Sequence, residues 1–293
     1  MRFGFLSLLL GLCACSEQEL KAFSFDDIAV VQGDFDSMND VLLRLDISST
    51  LYEGFIAGPV YDEEIDPDIN ALKIEGLLRD RNDSGRSAMF AYDAIFLNSG
   101  VRGLGEYKYN SVDPDDALIS DEIVLENVQD FVDGGNTLVL SDWAGDLVEA
   151  IWPDKIQFVN EGICGDDLCL DSSQVGTSES LLVDVMNEDA KLDLGTDNIS
   201  LSFDFSYWTA IESVADDVDI YLRGDIEYRI SDGEGYGTLE DVPLLVGFNV
   251  GRGRVVFSSF HWRSQNPTQA NQLMLVAVEG LNPGPNANIY GDE

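Results

Sequence analysis

Histidine is nearly absent from this sequence: His261 is the only one in 293 residues, and there are four cysteines. A tetrahedral zinc site needs more ligands than one distant histidine and the two interior cysteines, Cys164 and Cys169, would supply. Those two lie in CGDDLC, which is not the CxxC spacing of a redox pair. Basic residues are also scarce. Sixteen Lys and Arg face 55 Asp and Glu, for a net charge of −39. Such a surface repels phosphate backbones and anionic headgroups, which excludes nucleic acid as a partner. The apolar run Phe3 to Leu12 is too short to cross a bilayer as a mature helix. What remains is ample for a core: 45% of residues are hydrophobic, enough for one or at most two domains. The acidity itself has three readings: adaptation to a salty milieu, divalent-cation binding, or a basic partner.

Arg2, the apolar run and Leu12-Cys13-Ala14-Cys15 have the layout of an export signal. LCAC resembles the bacterial lipobox. That resemblance implies a signal peptide over residues 1–14 and a lipid-bearing Cys15 as the mature N-terminus. Several acyl chains would then hold the chain on the membrane. Ser16 after the cysteine implies the outer membrane of a bacterial envelope. Residues 15–25 read as a tether. Outside the cytoplasm an isolated cysteine pair is by default a disulfide, so Cys164 and Cys169 are expected to be bonded. So small a loop contributes roughly 2 kcal/mol.

From residue 27 the pattern alternates. Ile28 to Val31 is a continuous apolar run, as in a strand buried on both faces. Ser37 with Asp40 resembles an acidic capping box opening a helix. Strands follow at 49–56 and 92–98, a helix at about 68–79, and a better patterned helix from Ser120 to Gly134. Thr137 to Leu140 is the fourth strand, turning at Ser141-Asp142-Trp143 into a short helix. Residues 66–70 resemble the start of an EF-hand, but Ala71 and Leu77 replace its glycine and its glutamate. Beyond Trp152-Pro153 the reading is coarser. Residues 156–185 read as a cysteine loop and serine-rich connector, 203–211 and 218–230 as strands, and 231–241 as a flexible loop. Residues 243–250 and 254–260 pair as a hairpin, 268–279 forms a helix, and 281–293 is a tail.

Strand–helix alternation predicts an α/β fold: a mostly parallel, doubly wound, flavodoxin-like sheet with antiparallel additions in the C-terminal half. YDAIFLNSG, FVDGGNTLVLSDWAG and GRGRVVFSSFHW occur in the order that resembles the class I glutamine amidotransferase-like fold, over a single domain at 26–280. That resemblance implies a nucleophilic cysteine at the corner, a histidine after the last strand and a glutamate two residues on. Aligned on the motifs, these positions hold Trp143, His261 and Arg263. Trp143 cannot attack a carbonyl and Arg263 has the wrong charge, so glutamine-dependent ammonia production is not expected.

Ligands of open parallel sheets bind beyond the carboxyl ends of the strands. Gln32, Asp34, Asp36, Asn98, Ser99, Ser141, Asp142, Trp143 and His261 are the residues expected to line such a cleft. Two chemistries remain open there. Ser141, Asp142 and His261 would serve a hydrolase; Asp34 and Asp36 would hold calcium, the one cofactor in view. Against these stand plain structural roles: Asp142, Asp34 and Asp36 as helix caps, Trp143 and Trp152 as packing anchors, His261 as a corner tie, and Arg252 and Arg254 solvating a hairpin. The sequence points to a lipid-anchored envelope protein with a non-catalytic domain that binds a carbohydrate, another small ligand or an envelope protein.

Overall fold

The structure, a computed structural model, describes residues 25–54, 72–81, 85–105, 117–159, 174–230 and 235–279. The stretch read as a signal peptide, Cys15, Cys164 and Cys169, the EF-hand-like residues 66–70 and the stretch read as a tail at 281–293 lie outside the described residues. Eleven strands and six α-helices are defined among the described residues. In chain order they begin β1 (Ile28–Gln32), α1 (Met38–Arg44), β2 (Thr50–Glu53), α2 (Ile74–Leu78), β3 (Ala94–Leu97) and α3 (Glu122–Asp133). Next come β4 (Thr137–Ser141), α4 (Gly145–Ile151), β5 (Ile156–Phe158), β6 (Glu179–Val185), α5 (Glu188–Leu194) and β7 (Asn198–Phe203). The chain closes with β8 (Ile211–Val214), β9 (Asp219–Arg229), β10 (Tyr236–Val250), β11 (Gly253–Ser258) and α6 (Pro267–Glu279).

Nine strands form one sheet in the order β2-β1-β3-β4-β11-β10-β9-β6-β7, and β5 pairs with β8 apart from it. The pairings among β2, β1, β3, β4 and β11 are parallel. Those from β11 through β10, β9 and β6 to β7 are antiparallel. The sheet is therefore mixed, with as many antiparallel as parallel pairings, and not mostly parallel as expected. Side chains of the parallel strands alternate between two cores. Ile28, Val30, Phe96, Val139 and Val256 face α1 and α6. Ala29, Val31, Ile95, Leu97, Leu138, Leu140, Val255 and Phe257 face α2, α3 and α4. Burial on both faces is why these strands read as unbroken apolar runs.

The antiparallel half departs most from expectation. Residues 203–211 were expected to be a strand, but Phe203 ends β7 and 204–210 is a loop. The stretch read as a serine-rich connector contains β6, where Val183 and Val185 are buried and Leu182 is 75% exposed. Tyr236 to Val242, expected as part of a flexible loop and its margin, belongs to β10. Register shifts around Val242, Pro243 and Leu245 let that long strand carry a proline. The second helix spans only Ile74–Leu78, with Lys73 extended at its start. Arg254 does not solvate the hairpin. It is 1% exposed and bonded to Asp219, Tyr221, Asn249 and the Ala277 carbonyl.

β7 forms one margin of the sheet, and its outward backbone groups are guarded at both ends. The Gln265 amide accepts from Ser202 N–H at 2.9 Å and donates to Ser202 C=O at 2.8 Å. The Thr196 hydroxyl accepts from Asn198 N–H and donates to Asn198 C=O. Side chains thus occupy positions where another strand would pair.

Candidate functional site

At the carboxyl end of β4 the chain must turn sharply before α4. Gly145 opens that helix against Phe257 and Phe158, where a Cβ would come within 2.9 Å of the Phe257 ring. The residue carrying the turn's strain is Asp142, with φ of 48°, in the left-handed region. A strained strand-to-helix turn is where a nucleophile is presented. Asp142, one residue before the Trp143 that the motif alignment selects, holds the strained position of this turn.

Asp142 does not cap its helix as a plain reading of the corner would have it. Its Oδ1 accepts from Thr209 N–H at 2.6 Å, and its Oδ2 from the Ser99 hydroxyl at 3.0 Å. The same Oδ2 lies 3.0 Å from His261 Nε2. On the other side of the ring, His261 Nδ1 lies 2.8 Å from Asp204 Oδ1. Asp204, in the loop after β7, thus places a second carboxylate on the ring, which Arg263 does not touch in the contacts seen. Asp204 was missed because it sits 57 residues before the histidine, inside a stretch read as a strand. Arg263 is exposed, and the fixed part of it is its backbone N–H, which Asp36 accepts.

His261 is 5% exposed and has a carboxylate at each ring nitrogen. Carboxylates accept, so a ring that donates through both nitrogens is an imidazolium. Burial works against that charge, but the hydrogen bonds to Asp142 and Asp204 outweigh it and push the pKa up to about 10. For Asp204, burial acts to raise the pKa. Hydrogen bonds with His261 and Ser264 outweigh that and hold its carboxyl below the ordinary aspartate range. Phe35 stacks over the imidazolium with centroids 6.4 Å apart, and Phe205 lies tilted at 5.8 Å. Trp143 packs edge-on to Phe35 at 5.1 Å and donates its indole N–H to the Tyr207 carbonyl at 2.6 Å.

The other expected cleft residues are mostly interior ties. Ser141 Oγ accepts from Ser99 N–H and is fully buried, so its hydroxyl points to a backbone amide and not into the Asp142–His261 pair. Asn98 accepts from Met38 N–H and donates to the Val31 carbonyl, joining α1 to β1. Ser37 makes no side-chain cap, so the capping box is not formed. Asp36 serves a different turn: its carboxylate accepts from Ser37, Trp262 and Arg263 N–H. Asp34 pairs with Arg102 at 2.6 Å. The two carboxylates expected to share a cation are committed to different partners, and no group of three acidic, cysteine or histidine ligands occurs among the described residues. Gln32 is exposed. Among the described residues, Ser99, Ser141, Asp142 and His261 are tied to one another or to backbone, with Phe35 and Phe205 over the ring.

No family model matches this chain, and no curated protein is significantly similar in sequence. Solved structures align with most of its length at low identity, β-galactosidases and a ThuA-like protein among them. A GMP synthase component from Thermoplasma acidophilum aligns over 88% of this chain and 96% of its own, at 11% identity and a TM-score of 0.44. PurLQS from Thermotoga maritima aligns over 87% and 98%, at 12% identity and 0.46. A glutamine amidotransferase from Thermotoga maritima aligns over 86% and 83%, at 8% identity and 0.37.

Proposed function

We propose that this chain is a lipid-anchored bacterial envelope protein whose amidotransferase-like domain is non-catalytic and works as a binding or scaffolding module. The observation that supports this reading is His261 held between Asp142 and Asp204. An imidazolium has no lone pair with which to take a proton, so the ring is unfit as a general base at neutral pH. Asp142, at the elbow, has Thr209 N–H, the Ser99 hydroxyl and the ring on its two oxygens, and a nucleophile so engaged is poorly placed to attack. The constellation ties the strand ends together instead.

The test is turnover. The purified protein is expected to release no ammonia from glutamine and no nitrophenol from p-nitrophenyl acetate above the blank, with His261→Asn indistinguishable from the parent. Turnover that depends on His261 overturns the reading and restores the hydrolase. The anchor is tested separately: palmitate labelling in a bacterial host is expected for the parent chain and absent in Cys15→Ala.

A further inference from the structure

The loop between β7 and β8 is held unusually tightly for a segment that shows large rings to solvent. Asp204 is bonded to His261, and the Ser206 hydroxyl accepts from Ser178 N–H. Tyr207 N–H donates to the Gly176 carbonyl at 2.7 Å, and Gly176 N–H to the Trp208 carbonyl at 3.0 Å. Trp208 is buried, donates to Thr177 and lies flat on Gly176, where any Cβ would overlap the indole. With the backbone fixed at these points, Phe205 and Tyr207 remain 46% and 49% exposed. Tyr207 has a φ of 69°, left-handed backbone that is rare for a bulky residue. The loop keeps that strain while the ring stays in water, a pattern concentrated at binding sites.

We propose that Phe205 and Tyr207, flanked by Trp143, form a stacking platform for a neutral saccharide, an assignment that rests on the non-catalytic reading. Each ring is held from one side: the Arg229 guanidinium lies 4.4 Å over Tyr207 and donates to its hydroxyl at 2.8 Å, and Phe205 packs on Phe35 and His261. Among the described residues Asp34 is paired to Arg102, and the His261 cation sits between two carboxylates, Asp142 and Asp204, which leaves one negative charge in excess. An aromatic patch with that excess, on a chain of net charge −39, disfavours an anionic ligand. Arg229 on the Tyr207 ring disfavours a cationic one. A pyranose offers what remains: an apolar C–H face for the rings and hydroxyls for the planar guanidinium.

The full chain is titrated with cellohexaose, chitohexaose and maltohexaose by tryptophan fluorescence and calorimetry, with reducing ends measured in parallel. Saturable binding of at least one is expected, insensitive to salt. It should weaken about tenfold in Phe205→Ala and in Tyr207→Ala, and Tyr207→Phe should retain most of it. Phe205→Ala also trims packing on Phe35 and His261, so binding is read at a temperature where thermal unfolding shows each variant fully folded. No saturable binding, binding indifferent to both alanine variants, or preferential salt-sensitive binding of an oligolysine peptide overturns the platform. A saccharide that binds and is cleaved leaves the platform standing and removes the non-catalytic reading. Absence of both binding and cleavage removes the platform alone.

Discussion

The two halves of the sheet solve burial differently. The parallel strands β1, β3, β4 and β11 lie between two helical layers, and every residue of β3 and β4 is buried. The antiparallel strands β9, β6 and β7 send one face into the core and leave the other in water. Tyr221, Leu222, Ile226, Val183, Val185, Ile199, Leu201 and Phe203 join the first core, while Leu182 stands exposed. One half is a scaffold closed on both sides, the other an extension closed on one. The knot at His261 is the seam: Asp142 comes from the end of β4, Asp204 from the end of β7, and the histidine from just after β11, the strand pairing with both kinds of neighbour.

Breaking the seam should have the largest effect. His261→Ala leaves Asp142 and Asp204 without their shared cation, Asp142 being buried, and should cost about 3–5 kcal/mol in urea unfolding. Phe96→Ala in the doubly covered half should cost a similar 3–5 kcal/mol through its cavity. Equal stability of either variant and the parent would show that the seam or that core is not where stability resides.

The seam also sets a pH dependence. His261 has a raised pKa, so its contribution is fully present below the unfolded value of about 6.5 and is lost as pH rises through about 10. Asp204 has a lowered pKa, so its contribution is present above the ordinary aspartate value and is lost as pH falls through the lowered one. Unfolding free energy should thus decline from neutral towards alkaline pH, and that decline should be smaller in His261→Asn.

Smaller effects separate the halves further. Gln265→Ala removes the amide guarding β7 and should cost about 1 kcal/mol, with concentration-dependent association by analytical ultracentrifugation as the exposed margin pairs with a second copy. A monomer at all concentrations would show that the amide guards nothing. Leu182→Ser, on the wet face of β6, should stay within about 0.5 kcal/mol of the parent. A large loss would mean that this face is covered.

The same contrast governs what could be read beforehand. IAVV in β1, AIFL in β3 and TLVL in β4 are apolar because both sides of the strand are covered, and such runs stand out in a sequence. In β6, Leu182 lies on the wet side among Ser180 and Asp184, blurring the alternation that would have marked the strand. Asp142 and His261 could be placed from motif order because they follow parallel strands. Asp204 could not, since its position depends on β7, on the loop that follows and on the β5–β8 pairing that carries residue 209 onto Asp142. Arg254 was misplaced for a related reason: its guanidinium reaches across to Asp219 and Tyr221 of β9, contacts that local hairpin chemistry does not encode.

The decisive measurement uses the chain's one histidine. In a heteronuclear NMR titration of the untagged protein, a single imidazole is observed and its assignment is unambiguous. The seam requires both ring nitrogens to be protonated at neutral pH, with no transition near the ordinary histidine value and titration only towards about 10. A ring that titrates normally near 6.5, or is neutral at pH 7.5, would contradict the lock and return His261 to the pool of candidate bases.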